Sequence, residues 1–315
     1  MLYKQQSYIS KMAGSYLTND DRTFRVKTLS EFGKGSAEDD EQHGRDVIDA
    51  LNKYKWDDRD FLLQSYPKNG AHITWEIMNM LLRGNAEYIK ESKMYCMIGI
   101  TPVTRSSEWF QSPKVINTHY RLDVLPKEFR VMRNGKDTAV SLYKHLMNLT
   151  RNLNSQNSVL KQVTSMTFSD FLKEHLLDKD QYYGTHFDYI EYMWSLKDDP
   201  NVLIVFYEDL ITDTILSIQK INKFMGTGRS DELIEQIADA INIDKMREGK
   251  ATSMDDATER MGIYRNAKKE SAKHVYRKGT VGDWKNYFTV ADDELFDSIL
   301  AKWSGGKDIP FRYTL

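Results

Sequence analysis

Short apolar runs alternate along this chain with stretches whose apolar positions recur every three or four residues. Phe61-Leu62-Leu63-Gln64-Ser65 reads as a short buried strand, and Ile73, Ile77, Met80 and Leu81 follow it at helical spacing. Phe129-Arg130-Val131-Met132 is a second strand, with Ala139, Leu142, Leu146 and Leu149 on a helix behind it. Val202-Leu203-Ile204-Val205-Phe206 is the clearest strand, and Ile215, Ile218, Ile221 and Met225 are helical after it. Strands that alternate with helices imply parallel pairing through right-handed crossovers. The expected fold is therefore α/β, a single domain with a central, mostly parallel sheet flanked by helices. Sheets of that kind bind ligands at the carboxyl ends of their strands. Residues 1–45 lack the pattern: they are polar and run into the glycine- and charge-rich stretch from Gly33 to Asp46, so they read as a mobile arm before a domain spanning 46–315.

Composition narrows the classes. The chain has 315 residues, 40% of them hydrophobic, enough to bury a sizeable core. With 46 acidic and 44 basic side chains the formal charge is −2, which argues against a nucleic-acid or anionic-membrane partner, since either needs a basic field. The single cysteine, Cys96, cannot form an intrachain disulfide or a cysteine-rich zinc module, and it fits a reducing compartment. The N-terminal stretch lacks a signal peptide's apolar core, and no segment approaches the roughly 18 apolar residues of a membrane span. The expectation is a soluble, cytoplasmic protein with no membrane and no metal.

Basic residues matter locally. The first strand runs into Tyr66-Pro67-Lys68-Asn69-Gly70-Ala71-His72, and a helix follows at once. Strand, tight turn and helix N-terminus make a P-loop-like anion cradle of backbone N–H groups, to which Lys68 adds a charge. An ordinary turn with an exposed lysine fits this heptapeptide equally well, and no Walker motif is present. Met132-Arg133-Asn134-Gly135-Lys136-Asp137 repeats the theme, with Ser141 one helical turn after Asp137. Arginine supplies the forked donors that phosphate prefers, although a solvated turn with Asp137 as N-cap is the simpler local reading. Arg277-Lys278-Gly279 lies in a polar stretch that begins near Arg247 and suits a loop closing over a phosphate. Three cationic loops in a near-neutral chain suggest an anion with more than one phosphate-like group.

Taken in order, Tyr66-Pro67-Lys68-x-Gly70, Arg133-Asn134-x-Lys136-Asp137-x-Ala139-Val140-Ser141, Phe206-Tyr207-Glu208-Asp209 and Arg277-Lys278-Gly279-x-x-Gly282-Asp283-Trp284-Lys285 resemble the motifs of cytosolic sulfotransferases, from about residue 55 to the end. The resemblance implies transfer of a sulfuryl group from 3′-phosphoadenosine 5′-phosphosulfate (PAPS) to a hydroxyl or amine of a small acceptor. It gives the 5′-phosphosulfate to Lys68, Asn69, Gly70, Ala71 and His72. It gives the 3′-phosphate to Arg133, Ser141, Arg277, Lys278 and Gly279, and the adenine a neighbour in Tyr207. Ser112-Pro113 followed by His119 matches the family's placement of a catalytic histidine, so His119 is the expected general base and Lys68 the cation at the leaving oxygen.

The departures lie on the sulfonate and adenine side. Ala71 lacks a hydroxyl donor, Ile73 replaces an adenine-packing tryptophan, and Trp75 is placed to face elsewhere. Asn117 stands where many members carry a lysine two residues before the histidine, removing a sulfonate contact, and an adenine-side threonine aligns loosely with Ile241. An alternative follows, a catalytically weak or inactive relative that holds PAPS or its desulfonated product PAP as a nucleotide-binding module. A kinase-like phosphoryl transferase lacks both the Walker lysine and a carboxylate pair for Mg²⁺. Tyr88, Met94, Tyr95, Met97, Trp109 and Phe110 could line an apolar pocket for a phenolic, steroidal or alcoholic acceptor, or simply pack the core. Lys285, Thr289, Val290 and Glu294 reproduce the spacing of a short dimer contact in this family, expected as an extended stretch meeting its own copy in a weak homodimer.

Overall fold

A computed structural model describes residues 16–19, 22–25, 49–51, 53–100, 103–121, 128–153, 163–177, 185–251, 275–303 and 308–315. Most of the polar arm and of the stretch beyond Arg247 lies outside these residues. Within the arm, Tyr16–Asn19 (β1) and Arg22–Arg25 (β2) pair as antiparallel strands, an element that the polar pattern does not announce.

The main sheet consists of β3 (Phe61–Ser65), β4 (Met97–Ile98), β5 (Val115–Thr118), β6 (Glu128–Met132) and β7 (Val202–Phe206), in the order β4-β5-β3-β6-β7. Every neighbouring pair in it is parallel. All residues of β3, β5 and β6 are buried, as expected of central parallel strands covered on both faces, whereas edge strand β7 is half-buried along most of its length. Side chains alternate between the two sides. Phe61 and Leu63 pack with Trp75, Ile77 and Phe129, while Leu62 joins Ile98, Val103 and Ile116.

The helices are α1 (Ala71–Arg83), α2 (Gly135–Leu153), α3 (Phe168–Leu177), α4 (His186–Trp194), α5 (Tyr207–Thr212), α6 (Thr214–Met225), α7 (Asp231–Ala240), α8 (Ile243–Gly249) and α9 (Val290–Lys302). Helix α1 ends at Gly84, whose left-handed backbone (φ 72°) returns its N–H to Met80 O. Arg229 donates to the carbonyls of Leu81 and Leu82 at 2.7 and 2.8 Å, so the last turn of α1 leaves few carbonyls unpaired. From β3 the chain moves to β4 and β5 on one side, then crosses to β6 and β7 on the other. The carboxyl end of β3 is therefore a switch point, the place where such sheets open a crevice. Among the described residues no helix is long and apolar enough to cross a membrane.

The Lys285 to Glu294 segment is not extended. A 3-10 turn at Asp283–Asn286 leads to Thr289, whose hydroxyl accepts from the Asp292 N–H while Asp292 accepts from the Thr289 N–H, a reciprocal cap that starts α9. Capping thus overrides the β-branched Thr-Val pair. Lys285, Thr289, Val290 and Glu294 are all exposed, Val290 at 76%.

A buried ionic group braces the middle of the sheet. Arg130, with no solvent exposure, donates to Glu128 Oε2 at 3.0 Å and to Tyr192 O at 3.0 Å, and its guanidinium lies 4.6 Å from the Tyr192 ring centre. Gln64 Nε2 reaches the same Glu128 oxygen from β3 at 3.0 Å. Glu128→Ala leaves this guanidinium without its carboxylate and should destabilise the fold by about 3 kcal/mol, the lower end for breaking a buried pair because the Tyr192 contacts persist. Urea denaturation of the two proteins checks this, and a loss below about 1 kcal/mol contradicts it.

Candidate active site

Parallel register brings the chemistry together. Ser65, Thr118, Met132 and Phe206 end four adjacent strands, and Lys68, His119, Arg133 and Tyr207 follow just beyond them on the wall of one cavity of about 310 Å³. Gly70, Ala71, His72 and Ser141 join the same wall, as do Arg277, Lys278 and Gly279 from the C-terminal loop. Among the described residues five cations line it, Lys68, Lys93, Arg133, Arg277 and Lys278, and no carboxylate does. Such a wall suits a polyanion.

The β3–α1 loop is a tight turn. Lys68 adopts the left-handed conformation (φ 70°), as does Gly70 (φ 108°), where a Cβ would lie 2.7 Å from Tyr207 Cδ2, so only glycine lets the loop pass beneath that ring. The first helical bond is Thr74 N–H to Gly70 O, and no described group accepts from the N–H groups of Gly70, Ala71 or His72. They head α1 with its dipole behind them, an anion site at the cavity wall. Asn69 differs from expectation, since it is not on this wall. The two left-handed residues beside it turn its side chain inward, where Oδ1 accepts from Thr138 Oγ1 at 2.8 Å and the side chain braces the loop against α2.

Arg133 clips the loops to one another. It donates to Lys68 O and to Thr280 O, each at 3.2 Å, and its guanidinium lies 4.1 Å from the Tyr207 ring centre. Asp137 is not the N-cap of α2; Asn134 Oδ1 takes that part by accepting from the Asp137 N–H at 2.8 Å. Asp137 instead accepts from the N–H groups of Gly282 and Trp284 at 2.8 and 3.0 Å, stapling the C-terminal loop to α2. Glu208 accepts from both nitrogens of Asn134 at 2.7 and 2.9 Å, and burial raises its carboxyl to about 7. Asp283 pairs with Arg277 and Lys278 at 2.5 and 2.6 Å, while Arg247 holds the carbonyls of Tyr276 and Arg277. At Gly279 (φ 66°) an added Cβ would meet Ile243 Cβ at 2.9 Å.

His119 donates from Nδ1 to Ser65 O at 2.7 Å, which makes Nε2 the basic nitrogen of the neutral ring. Burial, then the charge of Lys93, lower its pKa to about 3 against the opposing Ser65 bond. Burial likewise lowers Lys68 to about 7, helped by Arg133, Arg277 and Lys93, and it lowers Lys93 to about 8. His72 is pushed well below the usual imidazole range by burial and the same lysines.

The departures sort by position. Ile73 and Ile241 line the cavity, while Trp75 faces the core with Nε1 donating to Val115 O at 3.2 Å. Of the expected acceptor-pocket residues only Met94 and Met97 reach the wall. Tyr95 stacks on Trp109 at 4.2 Å, Phe110 packs edge-on against Trp75, and Tyr88 donates its hydroxyl proton to Ala240 O. Lys93, His145, Tyr276 and Thr280 also line the cavity without a motif to announce them. Lys93 had one visible signal: it is the lone charge in the run Lys93-Met94-Tyr95-Cys96-Met97-Ile98.

A model of the sulfotransferase domain matches residues 58–308. The chain is 31% identical to sulfotransferase 1A1 of Mus musculus over 278 residues, covering 82% of this chain and 88% of that protein. It is 27% identical to sulfotransferase 1C2 of Rattus norvegicus, with 83% and 88% covered. Its fold is similar to mouse sulfotransferase SULT7A1 complexed with PAP, with a TM-score of 0.64 at 25% identity and coverage of 86% and 93%. The chain belongs to the sulfotransferase family, enzymes that take their sulfuryl group from PAPS.

The lowered Lys68 sets a proton balance. Above pH 7 the free site loses positive charge as Lys68 deprotonates, and an anion bound at its loop restores it, while His72 and His119 stay neutral there. Adenosine 3′,5′-bisphosphate, its phosphates already ionised at pH 8, should therefore bind with proton uptake at pH 8 and with much less at pH 6.5. Titration calorimetry in buffers of different ionisation heat reads the uptake, and equal values at both pH values contradict the assignment.

Proposed function

We propose that the chain moves a sulfuryl group from PAPS to the hydroxyl, or amine, of a small phenolic, steroidal or alcoholic acceptor. The observation that carries this reading is His119, whose Nδ1–H is committed to Ser65 O while the ring shares a wall with Lys68 and the amides that open α1. The donor set fits the nucleotide. Unpaired amides with Lys68 suit a 5′-phosphosulfate, while Arg133, Ser141 and the Arg277-Lys278-Gly279 loop suit a 3′-phosphate. Tyr207, Ile73 and Ile241 offer the adenine one ring and two aliphatic neighbours.

When bound, PAPS supplies an electrophilic sulfur: the acceptor oxygen forms a new S–O bond while the S–O bond to the 5′-phosphate breaks and its electron pair leaves on PAP. His119 Nε2 takes the acceptor's proton. Lys68 holds positive charge where negative charge grows on the departing phosphate oxygen. Burial is the main cause that depresses His119; a bound anion offsets only the smaller share that comes from the charges of Lys93 and Lys68. Met94, Met97 and Ile100, on the same wall, give the acceptor its apolar side.

His119→Ala should lower turnover by roughly 10²–10⁴-fold and leave PAP affinity within about two-fold, because a general base acts on the acceptor. Assays with radiolabelled PAPS over a broad acceptor panel, beside calorimetry with PAP, decide this. A wild-type chain that binds PAP and turns over none of the panel would be a nucleotide-binding module instead.

We also infer a weak homodimer through Lys285, Thr289, Val290 and Glu294, supported by the exposure of all four, Lys285 on the 3-10 turn before α9 and the others at its start. Val290→Glu places like charges near the two-fold axis and should give monomer with PAP binding unchanged. Sedimentation equilibrium tests it, and a wild-type chain monomeric at tens of micromolar, a roughly chosen ceiling for weak association, removes the assignment. A cytoplasmic setting fits the buried Cys96, whose thiol burial pushes up to about 12.

A further inference from the structure

Lys93 is a buried cation that the mechanism above leaves without a task. It opens the 3-10 turn Lys93–Cys96 that follows α1 and is 4% exposed, with no carboxylate partner among the described residues. Its Nζ donates to Asn117 Oδ1 at 2.9 Å and to the weak acceptor Met97 Sδ at 3.6 Å. Asn117 answers from its other end, with Nδ2 donating to Lys93 O at 2.9 Å and to Cys96 O at 3.1 Å. The amide is thus fully engaged in fixing this one turn. Asn117 lies on β5 two residues before His119, so the ammonium is delivered to the side of the strand from which His119 follows. Lys93 and His119 line the same cavity, and the charge of Lys93 bears on His119, Lys68 and His72 alike.

A buried ammonium with two neutral acceptors is under-satisfied, since it carries three donors and has lost its water. An anion arriving in the cavity supplies what is missing. Asn117, expected to remove a cation from the sulfonate side, instead carries one there on a different segment of the chain. We propose that Lys93 is the cation that meets the sulfuryl oxygens of PAPS, brought in from the turn after α1 and aimed by Asn117. This rests on the PAPS reading. Lys93 moves no proton: the acceptor's proton still passes to His119, and the electron pair of the broken S–O bond still leaves on the phosphate. Its pKa of about 8 keeps it largely charged at neutral pH.

Calorimetry with PAPS and with PAP, in the absence of acceptor, tests this without relying on turnover. Lys93→Met should weaken PAPS by roughly tenfold or more, the effect of one lost charged hydrogen bond, and leave PAP within about two-fold. Adding Asn117→Lys to that variant restores an ammonium from β5 itself and should recover PAPS affinity. Lys93→Gln, which keeps a donor for Asn117 Oδ1 and removes the charge, repeats the test should the methionine variant fail to fold. Equal weakening of both nucleotides, or weakening of neither, overturns the proposal alone. A wild-type chain that binds neither nucleotide overturns the PAPS reading and this proposal with it.

Discussion

The Arg133 guanidinium donates to the carbonyls of Lys68 and Thr280 and lies over the Tyr207 ring, so segments remote in sequence converge on a single planar cation. Only arginine can do this. A forked, planar group can bridge two carbonyls while stacking on a ring, and a lysine ammonium cannot. The β3–α1 loop, the β6–α2 junction and the C-terminal loop hold their relative places through it. Asp137, Thr138 and Glu208 then tie the same segments at neighbouring points. Rigid strand ends supply the platform beneath. Four parallel strands finish in register, which sets the loops side by side before any side chain makes contact.

Much of this frame is legible in sequence because it rests on local pattern. The runs at Phe61, Phe129 and Val202 are long enough and apolar enough to declare themselves as strands, and the helices behind them keep their periodicity. Strands β4 and β5 escape for a physical reason. Met97–Ile98 is two residues long, and β5 carries Asn117 and Thr118 in a fully buried position, so neither shows an apolar run. The capped start of α9 was hidden by β-branched residues that read as extended. Asn69 looks like a ligand contact because it sits among them; only the left-handed turn around it sends the side chain inward. Lys93 lies beyond reach of motif spacing, since its partnership with Asn117 is made across elements 24 residues apart.

Substitution in one place is met by geometry in another. Ala71 lacks a hydroxyl, yet its amide still points from the start of α1 with no described acceptor. Ile73 and Ile241 make their part of the cavity wall apolar, and Tyr207, the proposed adenine neighbour, shares that wall with Tyr276. Positive charge dominates the described wall of the cavity. Among the described residues five cations and no carboxylate line it; burial lowers Lys93, and burial with the neighbouring cations lowers Lys68, so the wall favours an anion.

Asp283 changes how that demand is felt at the C-terminal loop. Its carboxylate already neutralises Arg277 and Lys278, at 2.5 and 2.6 Å, from a position stiffened by a further bond from Asn286. On the proposed reading a 3′-phosphate that reaches this loop replaces one anion with another, and what it gains is the difference between two ion pairs. The exchange runs as readily in reverse. On the same reading, the departure of PAP returns the two cations to a carboxylate already in place. In a transferase whose product shares most of its contacts with its donor, a built-in competitor of this kind favours turnover over retention.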